Sequence, residues 1–330
     1  MCISVMSKKY VLAVPNFSEG RNKEAIDAAV NAVKAVESVK IVAVEPEANF
    51  NRTVLTYICE PQFVKEAMLK LAGAVYQYVN MEVQKGDHPR IGALDTAPVF
   101  PLQNMDIEEV KALAEEIGAA LHETYKVPVY FSGLNARTDF KKSNTNIRKG
   151  QYEGLKALLE TPDHPDLEMR KPDLSVDGKL SPTMGGCTVS SDYEGLTAYN
   201  VFVETEDATV ANDIAKVVKN AETGWTSIKG IGFKDEGHVG TAVSMNVFDA
   251  ASTPLAMLKE FISKEADKRG TKVIATQIVG PVKYQYLLDS AKALGYTGAD
   301  SDFDAVVACL ADNMMLEGFN KESIIEFHLQ

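Results

Sequence analysis

The chain has 330 residues, of which 45% are hydrophobic and 24% charged, and a formal charge of −12. That is enough chain for two cores, and too acidic for non-specific binding to nucleic acid or an anionic membrane, which needs a dense basic face. No run approaches the ~20 apolar residues of a membrane span, residues 1–6 are too short for a signal peptide, and Cys2, Cys59, Cys187 and Cys309 show neither a CxxC pair nor zinc spacing. The expectation is a cytoplasmic protein with reduced thiols and no metal.

In chain order, residues 10–14 (YVLAV) read as a buried strand ended by Pro15. A polar loop, residues 16–22, follows, and Ile26, Ala29, Val30, Val33 and Val36 then recur at helical spacing, with Asn22 or Ser18 available as the cap. Residues 39–44 and 53–59 are strand candidates, a helix starts near Pro61, and residues 94–102, 106–125 and 127–131 read as strand, helix and strand. That is a βαββαβ unit with extra elements. Residues 135–186 are loop-rich and dotted with prolines, and the domain boundary is placed after them, giving domains 1–188 and 189–330. The second half repeats the order: strand 196–204, helix 208–220, strands 226–233 and 239–247, a helix opened by Pro254 and a strand at 272–279. Helices at 282–294 and 299–316 and a terminal strand at 324–329 complete it. Two halves of like order predict an α+β protein, two sheets with helices on one face and a ligand between them.

Chemistry concentrates in Gly86-Asp87-His88-Pro89-Arg90-Ile91-Gly92-Ala93-Leu94-Asp95. Pro89 biases His88 away from helix, so the imidazole is expected on a loop or strand entry, where it either handles protons or caps a turn. His122 falls on a helix and His328 at the C-terminus, where surface or packing roles are expected, His164 in an exposed loop (Thr161-Pro162-Asp163-His164-Pro165), and His238 opens a strand after Gly237. The loop from Asn16 to Asn22, with Ser18 and Gly20, leads into a helix start and offers either an anion seat or simple capping. Asn51-Arg52 can grip a carboxylate or merely begin a strand, and the cations between Arg137 and Lys149 form either a solvated face or an anion patch. Phosphate-loop and dinucleotide signatures are absent; Gly230-Ile231-Gly232 lacks the third glycine.

Taken together, Val14-Pro15-Asn16-Phe17-Ser18-Glu19-Gly20-Arg21-Asn22, Asn51-Arg52-Thr53-Val54, Lys85-Gly86-Asp87-His88-Pro89-Arg90-Ile91-Gly92-Ala93-Leu94-Asp95 and Ile147-Arg148-Lys149-Gly150-Gln151-Tyr152-Glu153 resemble the glutamate formimidoyltransferase family. Gly230-Ile231-Gly232, Val243-Ser244-Met245-Asn246 and Gln277-Ile278-Val279-Gly280 resemble its second subdomain. The resemblance implies two ferredoxin-like βαββαβ subdomains, a folate tunnel between them, a homodimer, and transfer of a formimino group from N-formimino-L-glutamate to the co-substrate tetrahydrofolate. No metal is implied. It implies His88 as the catalytic acid and base, with Asp87 or Asp95 orienting its ring. Asn16, Ser18, Gly20, Asn51, Arg52, Arg90, Arg148, Met184, Gly185 and Gly186 are the implied substrate and folate contacts, residues 176–185 matching a folate-contacting segment. Gln84 stands where the family often has a second histidine, and Glu45-Pro46-Glu47 where relatives carry an aspartate. No cyclodeaminase segment is expected, so the product passes to a separate enzyme. Formyl transfer between 5-formyltetrahydrofolate and glutamate, or folate binding without catalysis, are the alternatives.

Overall fold

The computed structural model describes residues 8–219, 225, 227–234 and 240–329. The chain divides into two compact units, Met1–Tyr193 and Glu194–Gln330, each built on its own sheet.

In the first unit, β1 (Tyr10–Ala13) and β2 (Asn16–Phe17) are one strand interrupted at Pro15. The helix α1 (Lys23–Lys34) follows because the Asn22 side chain accepts from the Glu24 and Ala25 N–H groups, and it buries Ala25, Ile26, Ala29 and Val33 on one face. Then come β3 (Lys40–Glu47), β4 (Arg52–Cys59), α2 (Pro61–Tyr78), β5 (Leu94–Gln103), α3 (Ile107–Tyr125) and β6 (Val129–Gly133). A proline opens α2, and an Asp106/Glu109 capping box opens α3. The strand β4 pairs antiparallel with β3 on one side and with β1 and β2 on the other, and β1 and β2 pair antiparallel with β5. The first strand therefore lies between the third and fourth, which is the ferredoxin-like order of a split βαβ.

The loop-rich middle holds more regular structure than its composition announces. It contains α4 (Asn144–Ile147), α5 (Gln151–Leu159) and α6 (Leu167–Arg170), two of them single turns, and then β7 (Cys187–Ser191). The strand β7 lies parallel between β5 and β6. A central parallel strand usually reads as an apolar run, whereas Cys187-Thr188-Val189-Ser190-Ser191 has one large apolar residue, so only its neighbours reveal it.

In the second unit, β8 (Thr197–Val203), α7 (Ala208–Val218), β9 (Ile228–Lys234), β10 (Thr241–Val247), α8 (Leu255–Asp267) and β11 (Val273–Val279) form an antiparallel sheet in the order β11-β8-β10-β9, again ferredoxin-like. Both α7 and α8 pack on this sheet, α9 (Tyr284–Ala293) packs on α8, and α10 (Phe303–Met314) packs on α9. The expected terminal strand at 324–329 is instead a 3-10 segment, Ile325–Leu329, preceded by another at Lys321–Ser323. Ile324 and Ile325 are both buried; consecutive residues of a strand point to opposite faces, while a tight helical turn buries both. Residues 226 and 239 of the expected strands, and His238, lie outside the described residues.

Candidate active site

The arrangement starts from a β-bulge. Asn16 pairs with Thr96 of β5 and Phe17 with Leu94, so one step along β2 spans two along β5 and Asp95 is the extra residue. Leu94 joins the core under the helices, and the bulge turns Asp95 toward the other face, beside Asn16 and Arg52. Asp95 is 0% exposed, and its carboxylate is held by charged and polar partners. Its Oδ2 accepts from Arg52 Nη1 and Arg148 Nη2, each at 2.7 Å, and its Oδ1 from the Ile91 N–H at 2.7 Å. Burial alone would raise its pKa; the Arg148 and Arg52 guanidiniums outweigh that and hold it at about 2.

Two guanidiniums on one carboxylate leave an excess positive charge. Arg52 is held by Asp95 through Nη1 and by Asn16, whose Oδ1 accepts from Arg52 Nε at 3.1 Å. Arg148 Nε is buried and has no hydrogen-bond partner. An orphaned, buried donor on a cation beside a neutralised carboxylate is what a carboxylate-bearing ligand would satisfy.

His88 sits half-buried on the loop next to this cluster, its ring edge-on to Phe50 with centroids 5.8 Å apart. Its Nδ1 lies 2.7 Å from the Pro89 carbonyl oxygen. A carbonyl only accepts, so Nδ1 carries the proton and Nε2 is the basic nitrogen. Burial, then the positive charges of Arg52 and Arg148, push the ring's pKa down from 6.5 to about 4, against the opposing pull of Asp95. At neutral pH His88 is therefore a neutral base. The ring is oriented by the Pro89 carbonyl, with neither Asp87 nor Asp95 in hydrogen-bonding contact with it. An NMR titration of the ring is expected to give a midpoint near pH 4, rising when Arg148→Met removes one positive neighbour; a wild-type midpoint at 6.5 or above would rule this electrostatic setting out. The unfolded chain takes up this proton first, so the group withdraws stability as pH falls from about 6.5 toward 4.

The remaining expected site residues fall into a frame. Ser18 Oγ donates to the Gly92 carbonyl and Ser18 N–H to Ala93, stitching the first loop to the His88 motif. Asn51, at φ +48°, accepts from the Gly20 N–H and donates to the Lys85 carbonyl. Met184, Gly185 and Gly186 run alongside residues 91–93: Ala93 N–H donates to Met184, Gly186 N–H to Ile91, and Gly92 bridges Gly185. Gly185 is at φ +70° and a Cβ there would sit 2.1 Å from the Ile91 carbonyl oxygen, so only glycine fits. Arg90 points away from Asp95. Its guanidinium makes a two-pronged pair with Glu153 (2.8 and 2.9 Å) and holds Gln151 Oε1 and Gln84 Oε1. Gln84 in turn donates to the Asn51 carbonyl, so it ties two loops together. A cavity of about 440 Å³ opens beside this grip, lined by Arg21, Lys85, Asp87, Arg90, Gln151 and Glu153.

Gln151 and Glu153 are the participants that sequence reasoning passes over, while Gln84, noted there only as a departure, proves to be a structural tie. Gln151 and Glu153 stand in a recognisable motif, but only pairing across 61 and 63 positions shows their job. The cations between Arg137 and Lys149 do not form one patch: Arg137 pairs with Glu115, Lys141 with Asp173 and Lys142 with Asp139, while Arg148 turns inward. Among the other described histidines, His122 Nδ1 meets the Val127 carbonyl, His164 accepts from the Asp166 N–H and His328 meets the Glu322 carbonyl. No group of three or more His, Cys, Asp or Glu placed to hold a metal occurs among the described residues. Nor is any of the described helices long and apolar enough to cross a membrane. Cys59 and Cys187 are buried free thiols, and Cys309 is partly buried.

Comparison with known proteins extends over both units. Residues 10–192 match the family model described as the formiminotransferase domain, N-terminal subdomain, and residues 198–329 that described as the formiminotransferase domain. The chain is 33% identical over 288 residues to a glutamate formimidoyltransferase of Thermoplasma acidophilum, covering 86% of this chain and 91% of that one. It is 29% identical over 297 residues to a glutamate formimidoyltransferase of Streptococcus pyogenes serotype M1, covering 90% and 95%. The formimidoyltransferase-cyclodeaminase of Gallus gallus is 33% identical over 291 residues, 86% of this chain but 52% of the relative, so this chain spans about half the length of that protein. With matches running through both units in the same order as the two sheets, the chain belongs to the formiminotransferase family.

Proposed function

We propose that this chain is a glutamate formimidoyltransferase that moves the formimino group from N-formimino-L-glutamate to tetrahydrofolate, giving 5-formiminotetrahydrofolate and L-glutamate. The observation that carries the reading is the pairing of a neutral imidazole, its Nδ1 already held, with the unpartnered Nε of Arg148 on the same charged cluster. In the transfer, a folate ring nitrogen attacks the formimino carbon. One carbon–nitrogen bond forms to folate, the bond to the glutamate nitrogen breaks, and one proton moves from the first nitrogen to the second. His88 Nε2 takes that proton as base and returns it to the leaving amine as acid.

Arg148 holds a substrate carboxylate, and Asp95 with Arg52 fixes its guanidinium. Ser18, Gly20, Asn51 and Arg90 act as the frame around the reacting groups, and Asp87, exposed on the same loop, faces the open side. Asn16 supports Arg52, and Met184, Gly185 and Gly186 carry the folate-contacting edge along the His88 motif. Holding both substrates in place supplies the larger share of acceleration, through proximity. The protein works in the cytoplasm as a homodimer, and a cyclodeaminase activity consumes its product.

A spectrophotometric assay with tetrahydrofolate and formiminoglutamate, run beside formylglutamate, tests this. Turnover on formiminoglutamate is the expected result. Turnover on formylglutamate alone would reassign the donor, and folate binding without turnover on either would make the chain a binding protein.

A further inference from the structure

We infer that Arg170 is a positioning residue for this reaction, acting through Arg148. The inference rests on the reading of Arg148 given above. Arg148 caps α4, a single helical turn, and is followed by Lys149, Gly150 at φ +84° and Gln151 at φ +57°. A lone turn is not stable by itself, and its last carbonyls have no helical partner. Here two carbonyls flanking Arg148, those of Ile147 and Lys149, both accept from Arg170 Nη2, at 3.0 and 2.5 Å. One guanidinium nitrogen thus brackets the residue on both sides, through hydrogen bonds that a charged donor strengthens.

Arg170 is itself fixed. It is 7% exposed, and its own carbonyl accepts from the hydroxyl of Tyr130, a buried residue of β6, at 3.0 Å. The chain holding Arg148 is thereby referenced to the sheet that carries Asp95. Among the described residues the Arg170 guanidinium makes no ion pair, and its Nε is buried without a partner. The Asp166 charge acts on the guanidinium from beyond ion-pair distance, and the direct partners are carbonyls; burying a cation this way is an expensive means of stabilising a fold, which points to the placement of the bracketed residue as what is gained.

Steady-state kinetics of Arg170→Met, Arg170→Lys, Arg148→Gln and the double variant Arg148→Gln/Arg170→Met separate the possibilities, with thermal melting as a check on folding. Arg170→Met is expected to raise KM for formiminoglutamate about tenfold, the equivalent of losing roughly 1.4 kcal/mol of binding, while leaving KM for tetrahydrofolate unchanged; Arg170→Lys recovers part of the loss. The double variant should be no worse than Arg148→Gln alone, because a residue acting only through Arg148 has nothing left to position. A folded Arg170→Met protein with unaltered KM for the donor, or a double variant whose defects multiply, overturns the proposal. If Arg170→Met does not fold, Arg170→Lys with and without Arg148→Gln carries the same comparison; failure of both to fold while Arg148→Gln stays folded makes Arg170 purely structural and also overturns it. An unaltered donor KM in Arg148→Gln alone identifies the carboxylate reading, rather than the positioning role, as the error.

Discussion

His88→Ala is expected to slow formimino transfer about 100- to 10,000-fold, the range typical for loss of a positioned acid–base group, while leaving the protein folded. The ring is half-buried on a loop, makes one hydrogen bond, to its neighbour's carbonyl, and meets Phe50 edge-on, so little packing is lost with it. The measurement is kcat with both substrates saturating, beside a melting curve. Because the ring is neutral down to about pH 4, the wild-type enzyme should keep its base well below the 6.5 at which an ordinary imidazole would charge. Turnover within tenfold of wild type in a folded variant would remove His88 from the proton transfer.

Asp95→Asn carries the largest expected effect on stability. Asparagine keeps the volume and removes the charge, leaving two guanidiniums 2.7 Å from an oxygen that no longer balances them. Breaking a buried pair in this way costs about 3–5 kcal/mol, and urea unfolding would read it as a shift in midpoint. The same charge is secure against acid. With its pKa depressed to about 2, the Asp95 carboxylate contributes stability above the ordinary 3.8, and that contribution is lost only as pH falls through about 2. A loss below 1 kcal/mol in Asp95→Asn would show that the cluster is not coupled as its distances imply.

The contrast between Arg90 and Arg148 shows what a motif conveys. Both stand in motifs that resemble the family's, and both are plausible carboxylate clamps by residue type. In the folded chain Arg90 is spent on Glu153, Gln151 and Gln84, whereas Arg148 reaches Asp95 and keeps a donor in reserve. The difference lies in which carboxylate each side chain meets, and those partners are 63 and 53 positions away. Gln84 makes the same point. Its side chain accepts from Arg90 Nε and donates to the Asn51 carbonyl, 33 positions away, so it ties two loops together.

What the sequence by itself determined is what local physics writes into it. Hydrophobic periodicity set the element order of both βαββαβ units, a cap and two prolines set helix starts, and Pro89 kept His88 out of a helix. The family resemblance, carried by long motifs, pointed to the right family. Tertiary structure alone decided that Asp95 occupies a bulge facing Arg52 and Arg148, that the Pro89 carbonyl selects the tautomer of His88, and that β7 completes the first sheet between two parallel neighbours. The reason is one of range. Periodicity reports which face of an element is buried, but a bulge, an ion pair or a strand of mixed composition is fixed by whatever distant segment lies against it.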